Sequence, residues 1–409
     1  MRRVVITGIG VVSPIGNSNE ELWNSILENK CGIDNITYFD TTNYKVKLAA
    51  QVKDLDADKY FSSRELKFND KFTQFARIAS KQALLDSGLE GFNNDRCGVI
   101  IGSGIGGISS IENAKNVLEV KGNAYVSPFF IPMSLINLAS GNVAIDIKAN
   151  GHCSSVVTAC AAATNAIGEA FHKIRDGYQD IMFAGGSEAS ITPVSIAGFQ
   201  SMRALHTGHD KTRASIPFDK KRSGFVMGEG SGVLVLEELE HALKRNAKIY
   251  GEMVGYGDSC DANHITAPID DGSIGAKAMI NALNDAKLKA SNIDYVNAHG
   301  TSTPLNDKTE TKAMKLAFQN HSSKLMISST KSNTGHLLGA SGAIEAIISL
   351  NSLIHGYIPP TINYVNYDEE CDLDIVANVG RKVDIKYAMS NSLGFGGHNA
   401  SIIFKKWEN

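Results

Sequence analysis

The chain is 409 residues long, 43% hydrophobic and 20% charged, with a formal net charge of −3. A chain of this size and apolar content buries a large core and divides into two or more domain-sized units, and its mixed charge excludes bulk nucleic-acid or membrane-surface binding. Six cysteines, at 31, 97, 153, 160, 260 and 371, show neither a CxxC pair nor a disulfide-like spacing, so a reducing, cytoplasmic compartment is expected.

The N-terminus has a charged start and an apolar stretch, but Gly8, Gly10 and Pro14 interrupt it, and a first strand and turn fit it better than a leader. No apolar run approaches the roughly 20 residues of a membrane span, so a soluble, unexported protein is expected. Strand-like and helical runs then alternate along the chain: 3–7, 20–27, 71–85, 97–101, 181–184, 232–236, 249–254, 276–286, 295–298, 309–317 and 325–328. A long apolar helix over about 336–354 and strands at 387–391 and 401–404 close the series. The pattern predicts an α/β fold with mainly internal sheets, built as two similar halves, 1–250 and 251–409. Residues 102–132 fit neither half and read as an insertion over the sheet.

Four segments carry chemistry. Val156-Val-Thr-Ala-Cys160 ends a β-branched run at a cysteine followed by small, helix-forming residues, which predicts a thiol at a strand-to-helix corner, where helix N–H groups favour the thiolate. A buried structural cysteine is the competing reading. Tyr295-Val-Asn-Ala-His299-Gly-Thr-Ser-Thr303 puts a histidine after a buried strand, with the Thr301 and Thr303 hydroxyls available to a polar substrate. Ser328-Ser-Thr-Lys331-Ser-Asn-Thr-Gly-His336 repeats that logic, with His336 near a helix start, where a neutral imidazole is favoured, and Lys331 buried against Glu345 or Glu310. Gly394-Phe395-Gly-Gly397 links the last two strands, and its amides, with that of Cys160, are positioned to form an oxyanion hole.

Other motifs point less far. Gly102-Ser-Gly-Ile-Gly-Gly107 satisfies GxGxxG, but no β-branched run leads to an acidic residue as a dinucleotide site needs, so a tight loop at a ligand or chain contact is the better reading. His206-Thr-Gly-His209 has metal-ligand spacing, yet Arg203, Lys211 and Arg213 would repel a cation and no second ligand pair is evident. Neither GxSxG nor a P-loop occurs.

A cysteine at a strand-helix corner, Asn297-Ala-His-Gly-Thr-Ser-Thr-Pro304, Ser329-Thr-Lys-Ser-Asn-Thr-Gly-His336 and Gly394-Phe-Gly-Gly397, in that order, resemble the β-ketoacyl-acyl-carrier-protein synthases almost end to end. Within that family the wording resembles the type II elongating enzymes. The resemblance implies a thiolase-like fold, with duplicated βαβαβαββ halves in a five-layered α-β-α-β-α sandwich, and a homodimer that acts on acyl carrier protein without metal or cofactor. It implies that Cys160 carries the acyl group, that His299 and His336 activate the malonyl group, and that Lys331, with Glu310 and Glu345, orders that pair. Phe395 becomes a gate, Ile105 and Phe199 line the acyl pocket, and Phe130 approaches that pocket across the dimer. The acidic carrier calls for a basic docking patch, for which Arg64, Lys67, Lys71 and Arg203 are candidates. Ala163 and His398 depart from the family's usual glycine and threonine, and put chain-length preference and loop behaviour in question.

Three other classes share the fold. A thiolase needs a second active-site cysteine with a Cys-x-Gly ending, which neither Cys260 nor Cys371 supplies. A polyketide ketosynthase shares every motif, and a non-catalytic chain-length factor lacks the nucleophilic cysteine.

Overall fold

The computed structural model describes residues 1–408. Eleven strands form one sheet: β1 (Val4–Val12), β2 (Cys97–Gly102), β3 (Cys153–Ser154), β4 (Ile181–Glu188), β5 (Gly230–Glu238), β6 (Gly251–Cys260), β7 (Tyr295–Asn297), β8 (Met326–Ser328), β9 (Asp374–Ile375), β10 (Tyr387–Gly394) and β11 (His398–Lys406). Their spatial order is β9-β8-β7-β10-β11-β6-β1-β5-β4-β2-β3. β1 to β5 thus follow the order 3-2-4-5-1, and β6, β7, β8, β10 and β11 repeat it, with the same parallel and antiparallel pairings. The two copies join where β1 meets β6 antiparallel, from Val4 opposite Met253 to Ile6 opposite Gly251.

Helices repeat as well. α1 (Lys71–Ser87) and α2 (Asn137–Ile147) cover the outer face of the first copy, and α4 (Ser273–Ala286) and α5 (Pro304–Phe318) cover the second. α3 (Ala162–Arg175) and α6 (Ser341–His355) pack on each other between the two halves of the sheet. The result is two βαβαβαββ units in five layers, the thiolase-like arrangement. Sandwiched on both sides, α6 is buried continuously from Ser341 to Leu353, which is why its sequence is apolar nearly all round.

Local signals fix several boundaries. Asp70 caps α1 by accepting from the Phe72 amide, and Gly88 ends it at φ 60°; Thr303 and Pro304 start α5 as N-cap and first-turn proline. Two boundaries differ from the sequence reading. Val156–Thr158 is not a strand: β3 ends at Ser154 and the chain leaves the sheet before the cysteine. The apolar helix starts at Ser341 rather than near 336, because Gly335 at φ 69° and Leu338 at φ 48° break it. The 102–132 segment holds a helix, Ile108–Lys121, and lies between β2 and α2. Among the described residues no helix is long and apolar enough to cross a membrane.

Candidate active site

The two inner helices start from matching corners. Ala159 (φ 49°) opens the 3-10 turn Ala159–Ala161 that leads into α3, and Leu338 (φ 48°) opens the turn Leu338–Ala340 that leads into α6. The two turns touch. A left-handed conformation at a residue with a Cβ costs roughly 1–2 kcal/mol, so each corner is held by its surroundings. Cys160 occupies the first corner, only 9% exposed, on the wall of a cavity of about 570 Å³. Gly394 lets the Phe395 loop reach this corner, since a Cβ there would sit 2.8 Å from the Thr158 carbonyl oxygen.

The main-chain amides of Cys160 and Phe395 lie near enough to the sulfur to favour its thiolate. Burial nevertheless pushes the thiol up to about 12, with Glu188 adding to the rise and Lys331 and the two amides opposing it. Withdrawal from water thus opposes the thiolate that the helix end favours.

His299 and His336 line the same cavity, with ring centroids 5.2 Å apart and planes at 84°. Each has one nitrogen engaged from behind. Lys331 Nζ donates to the His299 carbonyl oxygen at 2.6 Å and lies 3.4 Å from its Nδ1, while the Ser341 hydroxyl meets His336 Nδ1 at 2.9 Å. The Lys331 ammonium can only donate, which places the proton of a neutral His299 ring on Nε2, whereas the Ser341 hydroxyl can donate to or accept from His336 Nδ1. Burial lowers both imidazoles well below their ordinary range, and the Lys331 charge lowers them further.

Lys331 forms a buried ion pair with Glu345, whereas Glu310 takes a different part. Its two oxygens accept the His299 and Gly300 amides at 2.8 Å each. Burial pushes the Glu310 carboxyl up to about 7.

Thr301 and Thr303 also line the cavity, their hydroxyls 3.0 Å apart. Ile105, Phe199 and Phe395 line it too, and the Phe199 and Phe395 rings lie 6.3 Å apart. Phe130 is half-buried on the insertion, outside the cavity of its own chain. Ala163 packs on Gly186 of β4 in the helix-sheet interface instead of facing the cavity, whereas the His398 ring packs beside Gly396 of the gate loop.

The basic candidates divide. Arg64 and Lys67 are exposed on a short helix, Ser63–Phe68, and Arg203 is exposed at the cavity wall. Lys71 is a correction: its ammonium sits 2.8 and 3.1 Å from the two oxygens of buried Glu229 and beside the Tyr38 hydroxyl, so its charge is neutralised within the fold. Of the HxxH pair, His206 Nδ1 is engaged by the Ser223 hydroxyl at 2.9 Å.

Three residues escaped the sequence reading. Ser341 orients His336, and Phe225 packs edge-on to the same ring with centroids 5.2 Å apart. Asp261 meets the Phe395 loop through its amide, which donates to the Gly397 carbonyl at 2.9 Å, while its carboxylate accepts from Asn399 at 2.7 Å and from the Ile269 amide at 3.1 Å. Ser341 follows the quoted His336 motif by five residues and was the one within reach of a spacing argument.

Residues 1–242 match the family model "Beta-ketoacyl synthase, N-terminal domain" and residues 250–365 match "Beta-ketoacyl synthase, C-terminal domain". The chain is 50% identical to 3-oxoacyl-acyl-carrier-protein synthase 2 of Synechocystis sp. over 410 residues, covering 100% of this chain and 99% of the relative. It is also 50% identical to the enzyme of that name from Staphylococcus aureus over 409 residues, with the same coverage. Among solved structures, the ishigamide ketosynthase/chain length factor superposes with a TM-score of 0.94 at 34% identity, covering 100% of both chains. A chain from the complex of a type II polyketide acyl-carrier protein with its ketosynthase superposes with a TM-score of 0.92 at 34% identity, covering 99% of this chain and 100% of that one. Both halves of the molecule are accounted for by one family model pair, and the chain belongs to the beta-ketoacyl synthase family.

Proposed function

We propose that this protein is a 3-oxoacyl-acyl-carrier-protein synthase that elongates fatty acyl chains by two carbons through decarboxylative condensation. One observation carries the chemistry: two buried imidazoles, His299 and His336, each with Nδ1 engaged, by Lys331 and by Ser341, line the cavity that holds Cys160.

In the first half-reaction Cys160 attacks the thioester of an acyl carrier protein. Its proton passes to the departing carrier thiol, and the Cys160 and Phe395 amides hold the oxyanion of the tetrahedral intermediate. Malonyl carrier protein then enters, and its carboxylate leaves as carbon dioxide. The electrons of the broken bond move to the thioester oxygen, where the His299 and His336 donors stabilise the enolate. The enolate attacks the acyl-cysteine, the new carbon–carbon bond forms, and the Cys160 thiolate departs and takes up a proton. Neutral imidazoles suit this role because a donor to a developing enolate needs an N–H rather than a full charge. Thr301 and Thr303 support the pantetheine arm, Phe395 gates acylation against condensation, and no metal or redox cofactor enters these steps.

The molecule divides functionally at 1–250, which carries the nucleophile, and 251–409, which carries the histidines. Homodimerisation is supported by exposed apolar side chains on the insertion, among them Ile111, Leu118, Tyr125 and Ile131, together with the unpaired outer edge of β3. Six free thiols, with no disulfide, suit a cytoplasmic protein. Arg64, Lys67 and Arg203 form the docking surface for an acidic carrier, and Lys67→Glu tests it: turnover falls with carrier-bound substrate and persists with a pantetheine thioester.

Incorporation of radiolabelled malonyl-carrier into a β-ketoacyl product, with Cys160→Ala as control, tests the whole reading. Product formed by the wild type and abolished in the variant supports it. No product from the wild type, coupled with binding to an active homologous subunit, would make the chain a chain-length factor.

A further inference from the structure

Glu188, at the end of β4, is fully buried, yet no step above uses it. Its Oε2 accepts the Gly104 amide at 2.7 Å and the Gly339 amide at 3.1 Å. Its Oε1 accepts the Ile105 and Gly106 amides at 3.2 Å and the Ser103 and Ser190 hydroxyls at 3.1 Å. Four main-chain donors and two hydroxyls therefore converge on one carboxylate. The close approach is built in, because a Cβ at Gly104 or at Gly339 would lie 2.8 Å from Oε2.

The internal duplication gives this cage a meaning. Cys160 is the second residue of the turn entering α3, and Gly339 is the second residue of the matching turn entering α6. At the first turn Cys160 lies on the cavity wall, where the reading above gives its amide to a substrate oxyanion. At the second turn the equivalent amide is occupied permanently by Glu188. One of two equivalent anion holes is left for substrate, and a resident carboxylate fills the other.

That carboxylate joins two pieces of the cavity wall. Gly104 and Ile105 come from the loop after β2, and Leu338 comes from the second turn; all three line the cavity, and Ile105 and Leu338 pack in one apolar cluster with Cys160 and Phe199. We propose that Glu188 is a positioning residue that sets acyl-chain selectivity by clamping the Ile105 loop against the Leu338 turn. The inference rests on the condensing reading above, and it assigns to the GxGxxG-like loop the role of a held pocket wall.

The test is kcat/KM of Glu188→Gln for a hexanoyl and a myristoyl carrier thioester. The amide keeps the shape, but whichever way it is turned its NH2 faces main-chain donors, Gly104 and Gly339 on one side or Ile105 and Gly106 on the other, so the clamp between the Ile105 loop and the Leu338 turn loosens. The myristoyl-to-hexanoyl ratio should rise by roughly tenfold, the scale on which pocket contacts discriminate small apolar differences. The midpoint of Cys160 alkylation against pH should also move down, because the negative charge beside the thiol is gone. Should Glu188→Gln not fold, Ser103→Ala removes one donor from the same carboxylate and should shift the ratio in the same direction by less. A ratio unmoved in both variants, or equal losses for both donors, overturns the proposal. Wild-type protein that elongates neither donor instead sinks the functional reading itself.

Discussion

The Lys331 ammonium donates to the main-chain carbonyl of His299 at 2.6 Å while its charge is paired with Glu345. One buried cation thus ties α6 to the loop bearing the first histidine. Lys331→Met leaves the Glu345 carboxylate, 2% exposed, without a counter-ion, and loss of one partner of a buried pair costs about 3–5 kcal/mol. Urea denaturation of Lys331→Met should show that loss, and the double variant Lys331→Met/Glu345→Leu should recover most of it. Equal stability of the single variant and the wild type would show that the pair does not hold these elements together.

Separation of the two half-reactions follows from the two ring environments. His336→Ala removes an enolate donor but neither the nucleophile nor its amides, so malonyl decarboxylation should fall by about 10²–10³-fold while Cys160 still takes up an acyl group, as read by intact-protein mass. Ser341→Ala should weaken decarboxylation less, because it releases Nδ1 of His336 without deleting the ring. Failure of His336→Ala to become acylated would assign that residue to the first half-reaction instead.

What the sequence disclosed about this site depended on range. Cys160 stands just before α3 and His299 just after β7, where local apolar runs and small residues mark the position, and His336 lies five residues before α6. Lys71 was misjudged because its partner, Glu229, lies 158 residues away in the chain. Glu188 was missed for the same reason: its donors come from residues up to 151 positions distant, and an acidic residue after Gly185-Gly-Ser looks like the polar end of a strand. Val156–Thr158 shows the converse error, in which β-branched propensity is overridden by the bend that places Cys160 against Gly394.

Movement of the gate loop should be sensitive at Gly396. Its φ of 84° suits glycine, and its amide donates to the Ile265 carbonyl at 2.7 Å. Gly396→Ala adds backbone strain of roughly 1–2 kcal/mol to the observed conformation. The expected outcome is a lower Tm and slower acylation of Cys160 by long-chain donors in stopped-flow measurements. Asp261→Ala, which frees the segment facing the loop, should speed loop opening and raise wasteful malonyl decarboxylation in the absence of acyl donor.

Acid-base linkage gives the sharpest check on the histidine loop. Burial raises the Glu310 carboxyl from 4.5 to about 7. The folded protein therefore binds more protons than the unfolded chain between those values, and this group's contribution, full below pH 4.5, is lost as pH rises through about 7. His299 and His336 act oppositely: both are lowered from 6.5, so their contribution is full above pH 6.5 and is lost as pH falls below it. Glu310→Gln deletes the first contribution and keeps the second. Wild-type stability minus that of the variant should fall as pH rises across the Glu310 window, by at most about 1.4 kcal/mol per pH unit, while the variant's own stability climbs toward pH 6.5. A difference that stays flat across the window would mean that Glu310 is ionised throughout, held so by the two amides of His299 and Gly300.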